Sequence, residues 1–399
     1  MKEAVLIIGA GPAGLTAARC LHEAGVEQVE VLERNLEAGG LPQSCGHPGW
    51  GMMDLHRFMR GPSYARELVR RAAGVTISTG VTVTRLLPGG SVEVLDSGGL
   101  GTRSASAVLL TTGIRETPRP ARLVSGTRPW GVTTTGAFQD MVYIGGMRPF
   151  KRPVIVGTEW VSFSALLTAR HGGIRPVAMI EEASRITARR PADILARGLF
   201  GVPVLTRTRL TEILGTKRVE GVEIERDGKL SILDCDGVIF TGLFTPEATL
   251  VRTSHLALDE GTFGPAIDNH WRCSDPAYFA AGNVLRAVEH SGMAAAEGAA
   301  AARSVLRALR GDLPRPDEAV RVRTRGALAY AYPQRLCLGK EPIVLRARAR
   351  VRLKGELRLT ADDILLSRRR LEALPERRLT VKVDPAKLGG RNDLTLALE

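Results

Sequence analysis

The chain opens on an unbroken apolar run, AVLII at residues 4–8, which passes through a glycine-rich turn into an Ala-rich stretch of helical spacing. An apolar run of that length, bounded by glycine, reads as a strand covered on both faces, the form strands take in a parallel sheet. The same strand–turn–helix pattern returns without gaps at residues 153–166, PVIVGTEWVSFSAL. Each copy is followed by a second strand, QVEVLERN after the first and RPVAMIEE after the second. Each also has a later strand ending in Thr-Gly, at residues 105–113 (ASAVLLTTG) and 235–243 (CDGVIFTGL). A short strand at 276–283, PAYFAAGN, then precedes a helical run of small residues at 290–311, closed by Gly311 and Pro314. Beyond it the period changes to two. IVLRARARVRLKGELRL alternates apolar and cationic positions and places Arg346, Arg348, Arg350, Arg352 and Lys354 on one strand face. The pattern predicts an α/β protein with two Rossmann-like domains built of βαβ units and a small β-rich C-terminal domain.

The first turn carries Gly9-x-Gly11-x-x-Gly14 between strand and helix, the context in which this spacing cradles a dinucleotide pyrophosphate. Gly9 allows the tight turn, Gly11 lets backbone approach the phosphates, and Gly14 lets the helix pack closely on the strand. The phosphates then rest on the positive end of the helix. Glu33 ends the second strand 19 residues after Gly14, where an acid hydrogen-bonds an adenosine ribose. In the second copy Gly9 is matched by Gly157, but Gly11 by Glu159 and Gly14 by Ser162, while Glu181 and Glu182 fall where the ribose acid belongs. A carboxylate about 5 Å from a phosphate charge, at an effective dielectric near 20, is repelled by roughly 3 kcal/mol, a loss of more than about 100-fold in affinity. NAD(P) binding at the second cradle is therefore doubtful if Glu159 points inward, and remains possible if it points outward. Trp160 beside it also fits occlusion.

Length and charge refine this picture. With 399 residues the chain has room for two or three domains. Its five cysteines form no CxxC pair, which argues for a reducing compartment, the cytoplasm, and against an iron–sulfur or structural zinc site; no metal ligand is assigned. No stretch approaches about 20 uninterrupted apolar residues, so no membrane span is expected. The net charge of +13 is concentrated at one end: residues 321–399 hold 19 Lys and Arg against 9 Asp and Glu, leaving only +3 for the first 320 residues. Nucleic-acid binding is accordingly not expected. The basic face reads either as a solvated, edge-protecting strand face or as a docking face for an acidic partner.

The order of these elements resembles the pyridine nucleotide-disulfide oxidoreductase superfamily, flavoproteins in which an FAD domain is split by an inserted NAD-type domain. The resemblance covers roughly residues 1–315 and rests on the first cradle with Glu33, the Thr112-Gly113 strand end and the Ala281-Gly282-Asn283 turn. It implies an FAD-binding domain at 1–115 and 246–318, an NAD(P)-type domain at 116–245, and a further domain at 319–399. The cofactor-contacting positions it implies are Gly9, Ala10, Gly11, Pro12, Ala13, Gly14, Glu33, Arg34, Gly40, Leu41, Val83, Thr112, Gly113, Gly282 and Asn283. Asn283 stands where the family usually has Asp, and its amide oxygen would accept the ribitol hydrogen bond. The amides of Ser291, Gly292 and Met293, at the start of the last helix, would face the flavin's pyrimidine edge. His290 reads as a cap or packing residue, or as a side chain near the flavin.

Disulfide reductases of the superfamily carry a cysteine pair. Here the segment after Gly39-Gly40 holds only Cys45, with His47 two residues on, so Cys45 and His47 are either an activated thiolate pair or loop residues near the flavin. That segment, PWGVTTTGAFQD at 129–140 and the altered second cradle resemble the FAD subunits of heteromeric dehydrogenases of the opine oxidase, hydrogen cyanide synthase and hydroxyproline or proline dehydrogenase group. The resemblance implies an FAD-dependent oxidoreductase that takes electrons from a small-molecule substrate and passes them to a partner subunit or acceptor; a homo-oligomer is the other assembly it allows. The alternatives are a stand-alone NAD(P)H:acceptor oxidoreductase and a non-catalytic flavin-binding scaffold subunit.

Overall fold

The computed structural model describes residues 4–188, 192–339 and 341–399. Its N-terminal part is built on a five-stranded, wholly parallel sheet in the order Tyr278–Ala280, Ala107–Leu110, Ala4–Ile8, Gln28–Glu33, Thr76–Thr79. The apolar runs of the sequence are these central strands, and Val108, Leu109, Ile7 and Val31 are fully buried. Helices Pro12–Glu23 and Ser291–Leu309 pack against each other on one face. Small residues let them approach so closely that a Cβ on Gly298 would lie 2.1 Å from the Ala13 carbonyl oxygen. An antiparallel meander, Thr82–Leu87, Ser91–Asp96 and Gly99–Ser104, is appended to this part.

The chain leaves through Ile114–Glu116 and returns through Phe244–Pro246, which pair antiparallel. Between them lies a second five-stranded parallel sheet, ordered Val132–Thr134, Gly237–Phe240, Pro153–Val156, Ala178–Glu181, Val204–Thr206. The repeat seen in the sequence extends to single hydrogen bonds. Gly9 N–H donates to Leu32 O and Gly157 N–H to Ile180 O, both at 2.8 Å. The Thr111 and Thr241 hydroxyls reach back to Ile8 O (3.0 Å) and Val156 O (2.9 Å).

The C-terminal region is a five-stranded and a three-stranded sheet closing on one apolar core that includes Leu345, Leu359, Leu394 and Leu396. Here the alternating stretch from residue 343 departs from a single strand. It divides at residues 350–352 into Ile343–Ala349 of the smaller sheet and Leu353–Ala361 of the larger. Its cations are also not one free face. Arg348 donates to Val288 O, Arg350 to Leu328 O, and Arg352 pairs with Glu372 at 2.7 Å. Arg368, Arg369 and Arg370 lie exposed on the edge strand Ile364–Ala373, where charge discourages pairing with another sheet. Among the described residues no helix is long and apolar enough to cross a membrane.

Candidate cofactor site

The first cradle is held open by its own backbone. Gly9 has φ +106°, and a Cβ there would meet the Thr111 carbonyl oxygen at 2.7 Å; a Cβ on Gly14 would lie 2.0 Å from Gly9 O and 2.7 Å from Thr111 Oγ1. Both positions therefore demand glycine. Gly11 differs: a Cβ there meets nothing within 4 Å, so the peptide faces open space at the start of the helix Pro12–Glu23. Gly40 (φ +65°) stacks over it, with its Cβ direction 2.8 Å from Gly11 Cα. Gly282 (φ +79°) closes in from the other side, its Cβ direction 2.9 Å from Ala13 Cβ. Residues 9–14, 40 and 282, far apart in sequence, thus line one opening. Glu33 is buried at the end of its strand, its carboxylate accepting from Ala10 N–H and Asn35 N–H, each at 2.9 Å. Each of its oxygens keeps a lone pair for a further donor.

Other expected contacts have different duties. Thr112 Oγ1 donates to Glu247 O at 2.6 Å and the Gly113 carbonyl accepts from Glu247 N–H, so both brace the returning chain, whereas Thr111 underlies the cradle. Thr111 was not among the expected residues: the Thr-Gly strand ends matched Thr241 with Thr112, whereas the hydroxyl bonds match it with Thr111. Asn283 spends both amide atoms on Glu289, donating to its carbonyl at 3.1 Å and accepting from its N–H at 2.9 Å, which ties a loop rather than leaving the amide for a ligand. Arg34 and Leu41 are exposed, and Val83 is half-buried on the meander against the underside of the sheet.

Near the opening, the helix Ser291–Leu309 begins with His290 as its cap, Nδ1 accepting from Gly292 N–H at 3.3 Å. The cap reading of His290 is the one the geometry takes. It also corrects the expectation for the helix start: the Gly292 amide and the Met293 amide, which donates to His290 O, are already occupied. Residues 50–64 cover this helix end. Asp54 Oδ1 lies 3.2 Å from the Cβ direction of Gly292, and its other oxygen accepts from the fully buried Tyr64 hydroxyl at 2.6 Å. Burial and that carboxylate push the Tyr64 hydroxyl up, so it stays protonated. Trp50 packs against Tyr64 in a tilted arrangement, with centroids 5.8 Å apart. Trp50 Nε1, Asp54 Oδ1 and Ser291 Oγ are all buried without a partner, which leaves donors and acceptors for a polar group. Nothing in the sequence around Asp54 or Tyr64 signalled this grouping, because it forms only when distant segments pack.

The thiolate pair is not formed. Cys45 is buried and its thiol donates to Gln139 Oε1 at 3.4 Å, while His47 turns away, with Nδ1 3.0 Å from Pro48 O. Burial, helped by the charges of Asp140 and Glu116, pushes the Cys45 pKa up to about 12, and burial lowers that of His47. Neither is poised as a nucleophile–base couple. Iodoacetamide at pH 8 is expected to leave Cys45 unmodified in the native protein and to alkylate it in guanidinium, as read by peptide mass spectrometry. Rapid native labelling would contradict this assignment. All five cysteines are free thiols.

At the second cradle Glu159 points inward. It sits at the cap position of the helix Trp160–His171, and its Oε2 accepts from Thr241 Oγ1 at 2.9 Å and Ser162 Oγ at 3.1 Å. A Cβ on Gly157 or Gly242 would collide with this carboxylate, at 2.6 and 2.3 Å. The space that is open above Gly11 is here filled by an internal anion. Trp160, at the start of the same helix, is exposed. Glu181 is tied to Thr158 Oγ1 and Ala183 N–H.

Paired cradles on two parallel sheets, one open and one closed, define a protein of two dinucleotide-binding-type domains. Residues 3–300 match the pyridine nucleotide-disulphide oxidoreductase family, and the chain belongs to it. It is 27% identical over 395 residues to an opine oxidase subunit of Rhizobium meliloti (strain 1021), covering 88% of this chain and 83% of that protein. To the alpha subunit of sarcosine oxidase from the same strain it is 28% identical over 343 residues, 79% of this chain but 31% of that protein. In fold it is similar to the thioredoxin reductase of T. acidophilum, with a TM-score of 0.63 at 23% identity over 77% of this chain and 99% of that one.

Proposed function

We propose that this chain is an FAD-dependent oxidoreductase, acting as the flavoprotein subunit of a heteromeric dehydrogenase that moves electrons from a small-molecule substrate to a partner. The observation that carries the reading is the contrast between the two cradles: backbone open to a pyrophosphate at Gly11, and a carboxylate in the equivalent space at Glu159. The residues present fit FAD. Gly9, Gly11 and Gly14 with the helix start would hold the pyrophosphate, Glu33 would accept from the adenosine ribose, and the unpaired Trp50, Asp54 and Ser291 atoms would meet the polar edge of the ring system. Bound there, the flavin would supply two-electron redox chemistry. The helix dipole at Ser291 favours negative charge beside it without an ionised side chain. Membership of the family and likeness to proteins named as subunits of opine and sarcosine oxidases support both the redox class and the expectation of a partner.

The closed second cradle argues against a nicotinamide electron source. Under anaerobic conditions NADH and NADPH are expected to leave the flavin oxidised, whereas a substrate drawn from a panel of secondary amino acids and opines, with a partner subunit where needed, bleaches it. Bleaching by stoichiometric NADH would contradict the reading. Glu159→Ala, which empties the cradle, is expected to raise NADH affinity by about 100-fold, measured by calorimetry.

A further inference from the structure

The basic C-terminal region reaches into the loop that leads to the proposed flavin edge. Arg348, on the strand Ile343–Ala349, donates to Val288 O at 2.9 Å and to Glu289 Oε1 at 3.2 Å. Glu289 is nearly enclosed, with 8% of its side chain exposed, and Arg286 and Arg378 flank the same carboxylate at 3.9 Å. The backbone of Glu289 is in turn clamped by Asn283, one residue beyond the Gly282 turn, and the next residue is the His290 cap. Arg286 completes the assembly, donating to Gly282 O at 2.8 Å and stacking over Tyr332 of the C-terminal region at 4.7 Å. Between Gly282, which lines the cradle, and His290, which sets the helix start, the loop is thus fixed by one amide clamp and by two arginines of the C-terminal region, Arg348 in hydrogen-bond contact and Arg378 at 3.9 Å.

We propose that Arg348 is a positioning residue for the cofactor: by holding Val288 and Glu289 it sets the 283–290 loop, and through it Gly282 and the His290-capped helix end, so that flavin binding depends on the C-terminal region. The inference rests on the FAD reading given above. It assigns to part of the basic region an inward role in place of an outward docking one. Both contacts leave one guanidinium nitrogen, Nη2; a lysine ammonium can donate to the same two oxygens, but from a shorter side chain and without the planar fork, so it restores them only in part.

The test uses the full chain reconstituted with FAD, comparing native protein with Arg348→Met, Arg348→Lys, Glu289→Gln and, as an outer-surface control, Arg352→Met. Flavin fluorescence gives the dissociation constant, visible circular dichroism reports the environment of the bound ring, and melting of the FAD-free protein reports the fold. Arg348→Met is expected to weaken FAD binding by about tenfold and to alter the visible dichroism, with partial recovery in Arg348→Lys, the same direction in Glu289→Gln and no change in Arg352→Met. If Arg348→Met fails to fold, Glu289→Gln decides alone. Native affinity and dichroism in a folded Arg348→Met, or in Glu289→Gln in that case, would overturn the inference while leaving the FAD reading intact. A native chain that binds no FAD removes both.

Discussion

Gly11→Glu is expected to abolish FAD retention while leaving the fold in place. Gly9 and Gly14 cannot separate these effects, because a Cβ at either would strike backbone. Gly11 has extended backbone, φ −84° and ψ −172°, which any residue adopts, and its Cβ direction meets open space. The substitution recreates at the first cradle the residue the chain itself carries at Glu159. A carboxylate about 5 Å from a phosphate at an effective dielectric near 20 costs roughly 3 kcal/mol, more than about 100-fold in affinity. Gel-filtered Gly11→Glu should therefore be colourless, with far-ultraviolet dichroism unchanged. Gly11→Ala, which adds bulk without charge, should lose much less. Equal retention in Gly11→Glu and the native protein would place the cofactor elsewhere.

The second large effect is on stability. Arg286 is fully buried and forms a bidentate pair with the buried Glu297, at 2.9 and 2.6 Å, while Tyr332 donates to the same carboxylate. Glu297→Ala removes the bidentate counter-charge and leaves the buried guanidinium only its longer 3.9 Å approach to Glu289, a change that costs about 3–5 kcal/mol. Replacing both partners together, Arg286→Met with Glu297→Leu, should recover much of that loss, since a buried pair contributes little over well-packed apolar groups. Urea unfolding followed by fluorescence measures both. A Glu297→Ala midpoint equal to the native one would mean that water reaches the site.

The fold was legible where burial makes the pattern strict. Central parallel strands are covered on both faces, so Ala4–Ile8, Ala107–Leu110 and Gly237–Phe240 stand out as apolar runs. The C-terminal strands were legible in kind but not in extent, because residues 350–352 keep the alternation while the backbone turns between two sheets. At the site, the glycines were readable because their requirement is local and steric. The Asp54, Tyr64 and Ser291 grouping was not, since it joins residues 50–64 to a helix start more than 200 residues on. Cys45 and His47 were misleading: proximity in sequence permitted a contact that Gln139, 94 residues away, takes instead. The direction of Glu159 could not be read from its position, and it is set by the Ser162 and Thr241 hydroxyls beneath it.

The central claim, that the first cradle holds FAD, is tested most directly by the visible spectrum of the purified chain together with mass analysis of whatever heat releases from it. The account predicts flavin absorption with close to one FAD per chain, either as isolated or after reconstitution. A colourless protein that takes up no FAD on reconstitution would contradict it.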